Sequence, residues 1–171
     1  MTDIICLDKN YSTTKLITKK KPENINNSNG KYESYLFFPA NESRIAEGGL
    51  RSKDYFKQSY DNKPLISIIT VIFNGEDYLE ETILSVINQT YSNIEYIIID
   101  GGSTDGTLDV IKKYTDKIDY WMSEKDSGVM DAWNKALQLS HGQWIGFLGA
   151  DDFYELNAIQ KYVENINQSS E

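Results

Sequence analysis

A single cysteine in 171 residues, Cys6, leaves no internal disulfide, so a packed core has to supply stability and a reducing compartment is expected. There is one histidine, His141, so a histidine triad or a histidine-rich zinc site would have to use it. Placed beside Gly142 at a helix end, it reads instead as a partner for the helix dipole. Basic residues are in deficit: 17 Lys and Arg against 26 Asp and Glu give a formal charge of −9. That balance argues against nucleic acid or an anionic membrane surface as the main partner. No apolar run approaches the roughly 20 residues of a membrane span. The longest, Leu65–Phe73, has the length and β-branching of a strand. Met1–Asp8 has neither a basic region nor a long apolar one, so no secretory signal is expected. No G-x-x-x-x-G-K-[ST] loop occurs, which removes the common NTPase reading. What is left is an acidic chain about the size of one domain, expected in the cytoplasm or peripheral at the inner membrane face.

The chain divides near residue 64. Residues 1–63 read as a partly irregular extension. Lys19–Gly30 is polar and Asn-rich without periodicity, as in a linker, and Tyr35–Pro39 is apolar enough to dock on another element. Gly48–Arg51 reads as a turn, followed by a short helix around Lys53–Gln58. Residues 64–171 alternate. Strands are expected at Leu65–Phe73, Ile94–Asp100, Ile118–Met122 and Gln143–Gly149. Helices are expected at Glu76–Asn88, Thr104–Tyr114, Gly128–Leu139 (with Gly142 as its C-cap) and Tyr154–Gln168. Such alternation predicts an α/β fold: a doubly wound, mostly parallel sheet in the order 3-2-1-4, with helices on both faces. Ligands bind such sheets beyond the carboxyl ends of the strands, where the winding reverses.

Chemistry-bearing residues fall at those ends. Phe147-Leu148-Gly149-Ala150-Asp151-Asp152 runs an apolar strand into two adjacent carboxylates. That arrangement suits Mg²⁺ or Mn²⁺, which takes one or two carboxylates and completes its shell with water and phosphate oxygens. The alternative is that Asp152 caps the next helix while Asp151 is solvated. Asp100 ends the second strand before Gly101-Gly102-Ser103-Thr104-Asp105-Gly106. There its carboxylate could accept a hydrogen bond from a base N–H, with Ser103 or Thr104 capping the helix; an ordinary tight turn is the competing reading. Thr70 and Asn74, closing the first strand, are candidates for holding a base or ribose; alternatively Asn74 caps the following helix. Ser123–Lys135 leads into a helix whose N-terminus could face an anion, with Asp131 and Lys135 spaced as an i,i+4 pair on a solvated face.

Four segments in order, Ile68–Gly75, Ser85–Thr90, Asp100–Thr107 and Gly149–Asp152, resemble the family 2 glycosyltransferases of the GT-A fold, across roughly Pro64 to Tyr154. Glu47–Arg51 and Glu124–Lys135 further resemble a bacterial subgroup linked to surface polysaccharide synthesis. The resemblance implies a nucleotide-diphosphate-sugar donor, expected to be UDP, and a glycan or lipid-linked acceptor. It also implies inversion at the anomeric carbon and a Mn²⁺ or Mg²⁺ cofactor. It makes Asp100 the base-binding residue, gives Asp151 the ribose or part of the metal site, and gives Asp152 the metal. The family often has Asp-Asp-Gly-Ser where this chain has Asp100-Gly101-Gly102-Ser103. Its acceptor surface and catalytic base lie C-terminal of the double Asp, in a part of the fold this sequence does not contain. Glu155 and Glu164 match no motif, so no residue is assigned the base. Two other readings compete: a non-catalytic nucleotide-sugar-binding module, and a truncated fragment that needs a partner chain or self-associates through an exposed sheet edge.

Overall fold

The computed structural model describes residues 4–22 and 34–168, so residues 23–30 of the expected linker lie outside the described residues. Five strands form one sheet: β1 (Arg44–Gly48), β2 (Ile66–Ile72), β3 (Ile94–Asp100), β4 (Tyr120–Glu124) and β5 (Trp144–Phe147). They lie in the order β1-β4-β3-β2-β5. The last four are parallel and reproduce the expected 3-2-1-4 order. The apolar runs of β2 and β3 are buried because helices cover both faces. On one face α1 (Leu79–Ile87), α2 (Thr107–Lys113) and α4 (Ala158–Gln168) bring Leu79, Ile83, Val86, Ile111, Ile159 and Val163 onto Ile68, Ile72, Tyr96 and Ile98. On the other, α3 (Val129–Leu139) lays Ala132, Ala136 and Leu139 on Ile69, Ile97, Ile99 and Met122. Winding therefore reverses between the neighbouring strands β2 and β5, and the carboxyl ends of β2, β3, β4 and β5 share one edge. No helix among the described residues is long and apolar enough to cross a membrane.

The extension departs from expectation. Gly48–Arg51 is not a simple turn, because Arg44–Gly48 is a strand paired antiparallel with β4. No helix forms around Lys53–Gln58. A 3₁₀ turn at Leu50–Lys53 is stopped by Asp54, which takes φ 57°, and Phe56 then exchanges backbone hydrogen bonds with Thr18 at 2.8 and 2.9 Å. Tyr35 and Phe38 do dock, against the α3 side of the sheet. Ser12 Oγ donates to the last carbonyls of α1, those of Val86 at 2.9 Å and Ile87 at 3.0 Å, and so joins the extension to the end of that helix. At the far end, β5 is an edge strand among the described residues. Trp144, Ile145 and Phe147 are exposed along it, so the expectation of an open sheet edge falls here. Gly142 is not the cap of α3, a place taken by Ser140. It lies instead against β2, where a Cβ would stand 2.5 Å from the Ser67 nitrogen.

Beneath the sheet is a buried ionic cluster. Arg51 Nη2 lies 2.6 Å from Glu95 Oε1, with both side chains 2 % exposed, and also donates to the Leu139 carbonyl at 2.8 Å. Ser67 Oγ and the His141 backbone N–H donate to the other Glu95 oxygen at 2.5 and 2.8 Å. His141 is thus a buried member of this cluster, its Nδ1 3.1 Å from Arg51 Nη2, and the helix-dipole reading is corrected: the chain turns inward after α3 to reach Glu95. Burial alone would raise the Glu95 carboxyl, but the Arg51 guanidinium and His141 outweigh it and hold it below the ordinary range.

Asp119 goes the other way. Burial pushes its carboxyl up to about 6, and the buried Lys57 ammonium offsets this only in part. A carboxyl raised on folding stabilises the fold fully below its unfolded value near 4, and the contribution is lost as pH rises through about 6. Asp119→Asn keeps an acceptor for the Tyr96 N–H, which lies 2.8 Å from Asp119 Oδ2. Urea unfolding from pH 4 to 7 should show wild type losing on the order of 2–3 kcal/mol relative to this variant as pH rises. Parallel pH profiles for the two proteins would refute the assignment.

Candidate donor site at the carboxyl edge of the sheet

Two loops meet at the ends of β2 and β3. Asn74, at φ 53°, donates its N–H to Ser103 Oγ at 2.8 Å and accepts the Thr104 N–H on Oδ1 at 2.8 Å. The next two residues continue the stitch: Gly75 N–H to Thr107 Oγ1 at 2.8 Å, and Glu76 N–H to Asp105 Oδ2 at 3.2 Å. Asn74 therefore caps no part of α1, whose N-cap is Tyr78, but ties the first loop to the second. Neither Ser103 nor Thr104 caps α2. The N-cap is Gly106, Asp105 Oδ1 accepts the Thr107 N–H at 3.0 Å, and Ser103 is drawn to Asp100 instead. The Asp100 carboxylate is fully buried and accepts the Ser103 N–H and hydroxyl, with Ser123 Oγ of β4 at 2.5 Å. Asp100 thus fastens the strand end that carries Gly101 and Gly102 into the cavity. Thr70 is not brought to this edge. It is wholly buried in β2, its hydroxyl 3.2 Å from that of Tyr96.

Above these loops lies a cavity of about 710 Å³. Val71 of β2, Phe73 just beyond it, Gly101, Gly102, Lys125, Asp126, Val129 of α3 and Ile45 of β1 are among the residues lining it. Phe73 is 61 % exposed, an aromatic ring left at a strand end over open space. The wall formed by β4 and α3 is held by Glu124. Its buried carboxylate meets Lys135 Nζ at 2.7 Å and Arg44 Nε at 2.8 Å. Lys135 also meets Asp131 Oδ2 at 2.9 Å, so the expected i,i+4 pair is present, but Lys135 is buried rather than on a solvated face. Burial opposes the charges on Glu124 and Lys135, and their mutual hydrogen bonding overcomes it, lowering the acid and raising the base.

Across β2 from Asp100, the double Asp follows β5. Asp151 and Asp152 are exposed, and their carboxylates have no hydrogen-bonding or ionic partner among the described residues. Both converge on Gly149: a Cβ there would stand 2.6 Å from Asp152 Oδ2 and 3.1 Å from Asp151 Oδ1. Asp152 does not cap α4, which begins only at Ala158. The turn is held from α1. Thr82 Oγ1 donates to the carbonyls of Ala150 at 2.6 Å and Asp152 at 2.8 Å, and Ser85 Oγ accepts the Tyr154 N–H at 3.1 Å. Gln89 donates to the Glu155 carbonyl at 2.8 Å and accepts the Ile159 N–H at 3.1 Å. The Ser85–Thr90 motif is therefore a clasp for the carboxylate turn. Among the described residues no three His, Cys, Asp or Glu side chains gather as a ready-made metal site. Two converging, unpartnered carboxylates nevertheless fit a hard cation that takes its remaining ligands from water and phosphate.

Among curated proteins, TuaG of Bacillus subtilis, named for a glycosyltransferase role in teichuronic acid biosynthesis, is 39% identical over 112 residues, covering 63% of this chain and 44% of that protein. An uncharacterized glycosyltransferase of Haemophilus influenzae is 39% identical over 111 residues, with the same shares. The chain thus spans less than half the length of these relatives. Among solved structures, S. aureus TarS 1-349 in complex with UDP-GlcNAc superimposes with a TM-score of 0.56 at 24% identity, covering 61% of this chain and 31% of that one. The mannosyltransferase PcManGT from Pyrobaculum calidifontis, in complex with GDP-Man and Mn²⁺, gives 0.56 at 21% identity, covering 67% and 34%. These structural likenesses establish the GT-A fold. Residues 67–171, from the first buried strand through the clasped carboxylate turn to the last helix, match the family model "Glycosyl transferase family 2", and the chain belongs to that family.

Proposed function

We propose that the protein takes part in transferring a sugar from a nucleoside diphosphate, UDP foremost, to a glycan or lipid-linked acceptor in surface polysaccharide synthesis, with inversion. The observation that carries this reading is the pairing of a largely apolar cavity over Asp100, Gly101 and Gly102 with two unpartnered carboxylates on the other side of β2. A base fits the first and a diphosphate with its cation the second. Names of relatives point the same way: teichuronic acid synthesis for TuaG, UDP-GlcNAc bound to TarS, and GDP-Man with Mn²⁺ bound to PcManGT.

In this scheme Gly101 and Gly102 let the backbone approach the nucleoside, and Asp100 holds them in place from below. Asp152, with Asp151 beside it, would hold Mg²⁺ or Mn²⁺, which supplies charge neutralisation for the leaving diphosphate. An acceptor hydroxyl bonds to the anomeric carbon as that carbon's bond to the diphosphate oxygen breaks. The hydroxyl proton passes to a base to which no residue of this chain is assigned.

Melting the chain with UDP and Mn²⁺, beside Asp152→Ala, tests the reading. Ligand at about 100 times its Kd should add roughly 2.7 kcal/mol, several degrees for a domain of this size. The rise should need the cation and vanish in the variant. A cooperatively melting wild type that gains nothing from UDP and Mn²⁺ would overturn the proposal.

A further inference from the structure

One wall of the cavity lies outside the stretch matched by the family model. Ile45 comes from β1, in the N-terminal extension, and the pairing of that strand explains how it reaches the site. Arg44 stands opposite Glu124 and Ala46 opposite Ser123, so two residues of β1 advance while β4 advances one. Ile45 is the extra residue of a β-bulge. Bulges bend a strand and re-aim a side chain, and they recur beside active sites. Here the bulge sets Ile45, 57 % exposed, along the cavity with Val129 and Phe73, which are 59 % and 61 % exposed. A lone exposed isoleucine needs no explanation. Three exposed apolar side chains around one cavity do.

The bulge is held in place. Arg44 Nε and Asn41 Nδ2 donate to the same Glu124 oxygen at 2.8 and 3.0 Å, while Lys135 of α3 takes the other at 2.7 Å. β1, β4 and α3 are thereby tied together at the cavity rim through one buried carboxylate. The lining also selects a ligand group. Hexose hydroxyls and phosphate oxygens would lose water against Ile45, Val71, Phe73 and Val129 without regaining hydrogen bonds there, and the opposite charges of Lys125 and Asp126 in the lining offset one another, leaving no net attraction for a phosphate. A nucleobase has two apolar faces and suits such a slot.

We propose that the N-terminal extension completes the donor site, with Ile45 as a wall of the nucleobase subsite and Arg44 and Asn41 as residues that position it. The proposal rests on the donor-site reading above. Its test is titration calorimetry of the full chain and of Ile45→Ala with UDP and, separately, with inorganic pyrophosphate, Mg²⁺ being present in each. Losing the wall should weaken UDP about tenfold, the worth of burying one aliphatic side chain against a base, and leave pyrophosphate within about twofold. Equal weakening of both ligands would mean that Ile45 acts only through the fold, and overturns the proposal. So would unchanged UDP affinity in a wild type that binds UDP. A wild type that binds neither ligand overturns the donor-site reading along with this one.

Discussion

Glu95→Ala is expected to lower the melting temperature by on the order of 10 °C, with the carboxyl edge of the sheet untouched. Removing one member of a buried ion pair costs about 3–5 kcal/mol, because the partner's charge stays buried without compensation. A chain of this size loses roughly 2–4 °C per kcal/mol. The variant leaves the Arg51 guanidinium, 2 % exposed, with the Leu36 and Leu139 carbonyls and the His141 and Tyr120 rings but no paired carboxylate, and leaves the Ser67 hydroxyl and the His141 N–H without their acceptor. The double variant Arg51→Met with Glu95→Leu removes both charges and should melt well above Glu95→Ala. Calorimetric scans of the three proteins decide the matter. A double variant no more stable than Glu95→Ala would mean that the hydrogen bonds lost by the Ser67 hydroxyl and the His141 N–H, rather than the orphaned charge, carry the cost.

Gly49→Ala should be nearly as damaging, for a different reason. Gly49 has φ 110° and ψ −174°, a region open essentially to glycine alone. A Cβ there would also stand 2.7 Å from the Asp119 carbonyl oxygen and 2.8 Å from that of Ile118. Those two carbonyls accept the N–H groups of Arg51 at 3.0 Å and Leu50 at 2.9 Å, so the clash falls on bonds that join the extension to the lead-in of β4. Backbone strain and overpacking each cost about 1–3 kcal/mol. Gly128→Ala isolates the first contribution, since Gly128 has φ 116° but nothing within 4 Å of a Cβ. Urea titration should place Gly128→Ala between wild type and Gly49→Ala. Equal losses at the two positions would show that the contact with β4 contributes nothing.

The central sheet was legible because its strands are buried on both faces and read as unbroken apolar runs. Helices whose inward residues recur at 3.6-residue spacing were equally plain. β1 was not, since Arg44-Ile45-Ala46-Glu47-Gly48 is short, charged and bulged, and its pairing with β4 spans a long sequence separation. The start of α4 was misplaced for a related reason: the backbone of 154–159 is engaged by Ser85 and Gln89, partners far away in the chain. The double Asp was readable as a pair of carboxylates at the end of a strand, and the structure places both there, exposed and directed at Gly149. Asn74 and Asp100 were readable as residues of the carboxyl edge, but their hydrogen bonds were not. Thr70 shows the limit: a polar residue in a buried strand signalled a ligand, and the Tyr96 hydroxyl met its need instead. Glu124 and Lys135 lie at opposite ends of a segment singled out by its resemblance, yet nothing local marks them as a pair.

The clasp that α1 makes on the carboxylate turn bears on where this protein tolerates a change of length. Between Leu148 and Asn157 the side chains are mostly exposed and the backbone is irregular, the usual profile of a place to insert a tag, an epitope or a second domain. The backbone there is nonetheless spoken for. The carbonyls of Ala150, Asp152, Glu155 and Leu156 and the N–H of Tyr154 are all engaged from the α1 side. One added residue would put each of these groups out of phase with its partner and carry the two carboxylates away from the cavity across β2. Inserted sequence is better carried elsewhere on the surface, and a chimera that borrows this turn from a relative has to borrow α1 with it.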